Sequence, residues 1–206
     1  MRRLGAKSVP IISKGGKWVF AQNIKVVADF CGVTDLPAQL PPAMLVNKLD
    51  MVISGAQRFI RQVPAERLDD MLPGRPRAFR DLFFHIFVIP DAFLRATRGI
   101  PITYEHLATK APTGSTPESI AAYGDEMKAQ LHDWWGGVED RSLQFTLKTY
   151  YGDHTAHDVL ERTAWHSGQH TRQVMFIHQT LGIPTDRPLT AEDLAGLPLP
   201  KDVWDG

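Results

Sequence analysis

The chain has 206 residues, 43% of them hydrophobic and 22% charged, which is enough to bury the core of one ordinary domain. Lysine plus arginine and aspartate plus glutamate each total 23, so the formal net charge is zero and there is no basic footprint for nucleic acid or an anionic membrane. The single cysteine, Cys31, excludes an internal disulfide and suits a reducing cytoplasm; no apolar run reaches the roughly 18 residues that span a bilayer, and the N-terminus lacks an apolar secretory segment.

In chain order, the first 36 residues read as two short strands and a helix. Ser8 to Ser13 is rich in β-branched residues, Gly15-Gly16 is a turn signal, and Trp18 to Phe20 forms the returning strand. Asn23 caps a helix over Ile24 to Cys31 that Gly32 closes, and Cys31 is expected there as a buried structural thiol. Leu36 to Pro42 carries three prolines and reads as a linker.

From there the pattern is helical. Ala43 to Gln62 places Leu45, Leu49, Val52, Ile53, Phe59 and Ile60 at helical spacing. After a break at Pro73 to Pro76, a second long helix is predicted over about Ala78 to Thr97, with Pro90 able to kink it one turn beyond His85. Gly99 to Gly114 reads as a loop. Thr116-Pro117-Glu118 opens a third long helix that runs to about Trp135, where Trp134 and Trp135 suit core plus interface better than a binding platform. Residues 140–150 are a short strand or an extended connection. Thr155 and Asp158 form a T-x-x-D box opening a fourth long helix to about Leu181, closed by Gly182 and Pro184. The proline-rich tail is expected to wrap the surface. Four long helices with loops between them predict a four-helix bundle, an architecture that builds metal sites from facing helices.

The chemistry concentrates in Trp165-His166-Ser167-Gly168-Gln169-His170. Histidines at i and i+4 share one helix face, about 6 Å apart, and can converge on one ion. Neutral imidazoles are needed, and an unperturbed pKa near 6.5 supplies them at pH 7. His85 lies inside Leu82-Phe83-Phe84-His85-Ile86-Phe87, where an imidazole either bonds a backbone carbonyl or joins the pair as a third metal ligand. Gln173 follows His170 by three positions and is a candidate catalytic residue, reaching a ligand of the metal, or else a solvated or helix-bridging side chain. Arg172 and Arg80 are candidates to meet the carboxylate of a metal-bound thiol, against the plainer reading of surface arginines. His154 and His157 read as a solvated helix start, His178 is too far along to share the ion, and His106 and His132 have no patterned neighbours.

A histidine in the second long helix and H-x-x-x-H in the fourth, within His166 to Gln173, resemble the DinB-like superfamily over about residues 40–185. The resemblance implies a mainly α fold: a four-helix bundle, here with a small N-terminal β-β-α appendage. It further implies a three-histidine site, His85, His166 and His170, for zinc, nickel or a similar divalent ion, with positions left for water or a thiol. Relatives include S-transferases and isomerases that use low-molecular-weight thiols, and bundles of this kind often form homodimers. Gly5 to Val33 separately resembles the C-terminal half of glutaredoxins, whose proline follows a residue that pairs with glutathione; Val9 and Pro10 are then candidates for a thiol site. The redox half of that fold is absent, so the segment is either part of a truncated fusion or packs on the bundle or a second subunit. Three units follow: 1–36, 40–185 and a tail at 186–206.

The leading expectation is a metal-dependent thiol transferase or isomerase acting on a small-molecule thiol and an electrophile in the cytoplasm. The alternatives are a non-catalytic metal-binding bundle with a structural or interaction role, and a glutathione-binding adaptor resting on the N-terminal segment alone. Three good ligands without an evident fourth favour an open, catalytic site.

Overall fold

A computed structural model describes residues 10–204. Strand β1 (Ile11–Lys14) turns at Gly15-Gly16, both with positive φ, into antiparallel β2 (Lys17–Phe20), with Ile11 opposite Phe20 and Lys14 opposite Lys17. Helix α1 (Ile24–Cys31) follows. Asn23 caps it by accepting from the amides of Lys25 (2.9 Å) and Val26 (3.3 Å), and left-handed Gly32 ends it. Cys31 is exposed, which corrects the expectation of a buried thiol: only Ala28 of this short helix is buried.

Four long helices then build the core: α2 (Pro42–Gln62), α3 (Phe79–Thr97), α5 (Pro117–Gly137) and α6 (Ala156–Leu181), with a one-turn α4 (Tyr104–Leu107) between the second and third. The apolar stripes decide the arrangement. Helix α2 buries Leu45, Leu49, Val52, Ile53, Ala56, Phe59 and Ile60 against both α5 and α6. Helix α3 also packs on α5 and α6, so α2 and α3 sit on opposite corners of the bundle. The third helix starts as its sequence dictates, with a reciprocal Thr116–Ser119 capping box and Pro117 in its first turn. At Gly124 an added Cβ would lie 2.6 Å from the Phe87 ring, so the lack of a side chain is what lets α5 close on α3.

Residues 140–150 resolve into half of a hairpin. Strand β3 (Thr146–Thr149) pairs with β4 (Gly152–Thr155), whose Thr155 also caps α6 by accepting from the Asp158 amide. Ile102 bonds alongside β3, donating to the Lys148 carbonyl (2.9 Å) and accepting from the Tyr150 amide (2.9 Å), which brings α4 over one end of the bundle.

Two expectations about the periphery change. His154 and His157 are half-buried rather than solvated, because the N-terminal segment and the linker after it dock on them: His154 Nδ1 contacts Asn23 Nδ2 (3.2 Å) and His157 Nε2 contacts the Leu40 carbonyl (2.8 Å). Lys25 pairs with Asp158 (2.8 Å), so the β1–β2–α1 segment packs on the bundle of its own chain. The tail does more than wrap the surface. It buries Leu189, Leu194 and Leu197, and Leu189 lies 3.2 Å from the Cβ position of Gly55. No helix of the described residues is long and apolar enough to cross a membrane.

Candidate metal centre

His85, His166 and His170 come together. Each offers one ring nitrogen, and these nitrogens lie within 4.8 Å of one another; ring centroids are 5.5 Å apart for His85 and His166, 5.1 Å for His85 and His170, and 4.8 Å for His166 and His170. The pair on α6 is set by helical spacing alone. The third ring depends on how α3 docks, and a hydrogen bond marks that docking. Pro90 has no amide hydrogen, which leaves the Ile86 carbonyl without its partner within the helix. The Ser167 hydroxyl, from between the two histidines of α6, donates to that carbonyl at 3.1 Å. Helix α3 continues through Pro90 to Thr97, and its proline is matched by a serine across the interface, one residue from His85.

The fit of the three rings to an ion can be judged from their unused atoms. Nδ1 of His85 and Nδ1 of His166 are buried with no hydrogen-bond partner, each at a cost of about 1–3 kcal/mol if left so. His170 is arranged differently. Its Nδ1 lies 2.7 Å from Gln173 Oε1, while Gln173 Nε2 donates to the Val203 carbonyl (3.1 Å). Because the amide nitrogen is engaged there, Oε1 must accept, so His170 carries its proton on Nδ1 and presents a bare Nε2. Burial pushes the His85 and His166 pKa values well below the ordinary 6.5, helped for His85 by His170 and Arg77, and for His166 by Arg162 and His170. His170 falls to about 4 through burial, against the opposing Gln173 bond. One buried and two half-buried imidazoles, neutral and converging, suit a divalent ion.

These rings form part of the wall of a cavity of about 630 Å³. Pro10 and Gln22 from the N-terminal segment, Arg77 and Asp81 near the start of α3, Tyr104 and Lys110 around α4, and Tyr150 and Arg162 complete much of it. Pro10 is exposed at this cavity, while Val9 lies outside the described residues. Gln173 does not reach into the cavity as a free amide, since both of its ends are engaged. Arg172 is also placed elsewhere. Two positions past His170 is about 200° around the helix, and Arg172 instead donates to Gln169 Oε1 (2.8 Å) and to the carbonyls of Pro200 (2.8 Å) and Lys201 (3.1 Å), fixing the tail. Arg80 pairs with Asp69 (2.6 Å). His178 is a satisfied core histidine, its Nε2 at 2.9 Å from the Phe59 carbonyl.

Sequence reasoning missed Arg162, Tyr150, Gln22 and Arg77. Arg162 had a signal: it precedes His166 by four and His170 by eight, on the ligand stripe of α6. The others belong to distant segments whose approach to the site no local pattern announces.

Fold and site together define a helical-bundle protein with a three-histidine cluster of metal-ligating type. The sequence profile of the DinB superfamily matches residues 49–174, more than half of the chain and all three histidines, and the chain belongs to that superfamily. The β1–β2–α1 segment lies outside this match, which lends no support to its likeness to glutaredoxins. No curated protein matches the chain.

Proposed function

We propose that this protein is a divalent-metal-dependent enzyme that transfers or isomerises by way of a low-molecular-weight thiol such as glutathione, with zinc or nickel held by His85, His166 and His170. The observation that carries this reading is three neutral rings converging on the wall of a large open cavity, with no Cys, Asp or Glu joining them among the described residues. A structural zinc site is closed by four protein ligands, whereas a catalytic one keeps a position for substrate.

Bound there, a divalent ion lowers the pKa of a thiol or water that reaches it and supplies the charge that three neutral imidazoles leave uncompensated. The chain's own groups do the rest. Gln173 sets the tautomer of His170, and Ser167 holds α3 and α6 in register around the rings. Burial raises the Tyr150 phenol pKa, so it keeps its proton at neutral pH while its oxygen accepts from Gln22 Nε2 (2.9 Å). In transfer to an alkyl or aryl halide, the thiol sulfur forms a bond to carbon, halide departs with the bonding pair, and the thiol proton goes to solvent. Cytoplasmic location and assembly as a homodimer belong to the same reading; the exposed free Cys31 suits a reducing compartment.

The test combines metal content with conjugation of glutathione to an aryl halide. Wild type should hold one zinc or nickel per chain and turn over, and His85→Ala and His170→Ala should lose both properties while remaining helical. Tight metal binding in the wild type without any thiol binding or turnover would assign the ion a structural role.

A further inference from the structure

Arg162 takes no part in ligating the ion, yet it is only 3% exposed and lines the same cavity as the three histidines. It stands one helical turn before His166 and two before His170, so its Cβ lies about 6 Å from that of His166. Its Nε donates to Gln22 Oε1 (2.7 Å), and its guanidinium carbon sits 5.2 Å from the centre of the Tyr151 ring. Among the described residues no carboxylate lies within ion-pair distance of it. An arginine cannot lose its proton to escape this position. A neutral amide, the Tyr150 phenol and an aromatic face offset only part of the cost of burying a charge.

The rest of the cavity adds to the imbalance. Arg77 lines it too, as does Lys110. Asp81 is the one carboxylate among the described lining residues; it accepts from the Ala111 amide (3.2 Å) and faces Lys110 (3.9 Å), not Arg162. The site therefore joins a buried, planar cation that no carboxylate neutralises to a cluster that itself suits a divalent cation, with only neutral ligands between them. Guanidinium geometry matches a carboxylate in a two-point contact.

We infer that Arg162 is a carboxylate-binding residue, and that the thiol taken by this cavity is a thiol acid whose sulfur approaches the three histidines while its carboxylate meets the guanidinium. This rests on the thiol reading above and names the class of thiol. The short step along α6 sets the size: sulfur and carboxylate must be within a few bonds of each other or joined by a flexible chain. Gln22 is a positioning residue for Arg162, through which the N-terminal segment contributes to the pocket.

The experiment uses the full chain loaded with cobalt(II) and two thiols of similar size, mercaptoacetate and 2-mercaptoethanol, followed by the sulfur-to-cobalt charge-transfer band. Mercaptoacetate should bind at least tenfold more tightly, and the advantage should vanish in Arg162→Gln while cobalt binding persists. Equal affinity for the two thiols in the wild type overturns the carboxylate site and leaves the thiol reading standing. No charge-transfer band with either thiol overturns both. An advantage that survives in Arg162→Gln removes Arg162 from the assignment. The wild-type comparison decides even where that variant fails to fold, and Arg77→Gln, at an exposed position, should then show a reduced advantage with the fold intact.

Discussion

Gln173 bonds at both ends of its amide, to His170 Nδ1 and to the Val203 carbonyl, so one side chain couples a ligand's tautomer to the C-terminal tail. Residues that orient ligating histidines are commonly worth 10–100-fold in metal affinity. Gln173→Leu should therefore weaken zinc binding by about that factor, read by competition with a chromophoric chelator, with little change in helicity. An unchanged affinity would mean that packing alone holds the ring. The residue scale is also where local reading was weakest. Gln173 and Arg172 are sequence neighbours of His170, but one bonds the ring and the other faces the tail, because successive helix positions differ by about 100°. Cys31 and the His154/His157 pair were misjudged for a related reason: exposure depends on which segment docks nearby, and the residues themselves do not encode that.

Among the elements, α3 and α6 matter most to function, and their interface carries a proline matched by a serine. The double-mutant cycle of Ser167→Ala and Pro90→Ala probes it. Ser167→Ala alone leaves the buried Ile86 carbonyl unpaired, at about 1–3 kcal/mol of stability. In the Pro90→Ala background the helix regains its own amide donor at position 90, so the same substitution should cost distinctly less in a urea unfolding measurement. Equal costs in both backgrounds would show that the hydroxyl contributes by packing and not by serving the carbonyl. Helix boundaries were largely legible: Asn23, Thr116 and Thr155 cap where their sequence context placed them, and Gly32 and Gly182 adopt left-handed backbone at the ends of α1 and α6. The β3–β4 hairpin was read only in half, since Gly152 to Thr155 has no strong β character and is held by pairing with Thr146–Thr149 and by its junction with α6.

For the whole molecule, burial of neutral imidazoles makes stability depend on pH. His85, His166, His170 and His178 all have pKa values lowered in the folded chain, by burial first in each case, with His170 at about 4. A group of this kind binds fewer protons folded than unfolded. Its stabilising contribution is complete above about 6.5, the unfolded value, and is lost as pH falls below that toward the folded value. Metal-stripped protein should therefore show a urea midpoint that is clearly lower at pH 5 than at pH 7.5, and His178→Gln should flatten part of that dependence. A midpoint indifferent to pH in this range would mean that the rings are solvated in the folded state.

The amino-acid order by itself determined the four long helices, the caps at Thr116, Thr155 and Gly182 and the placement of His166 and His170 on one stripe, because each depends on residues within a few positions of one another, where helix geometry is fixed. Tertiary packing decided the rest. His85 meets the pair, Ser167 finds the Ile86 carbonyl 81 positions away, and Gln22 reaches Arg162 across 140. Those meetings follow from how buried faces of separate helices and a docked N-terminal hairpin settle against each other, a sum over many distant contacts that no local spacing records.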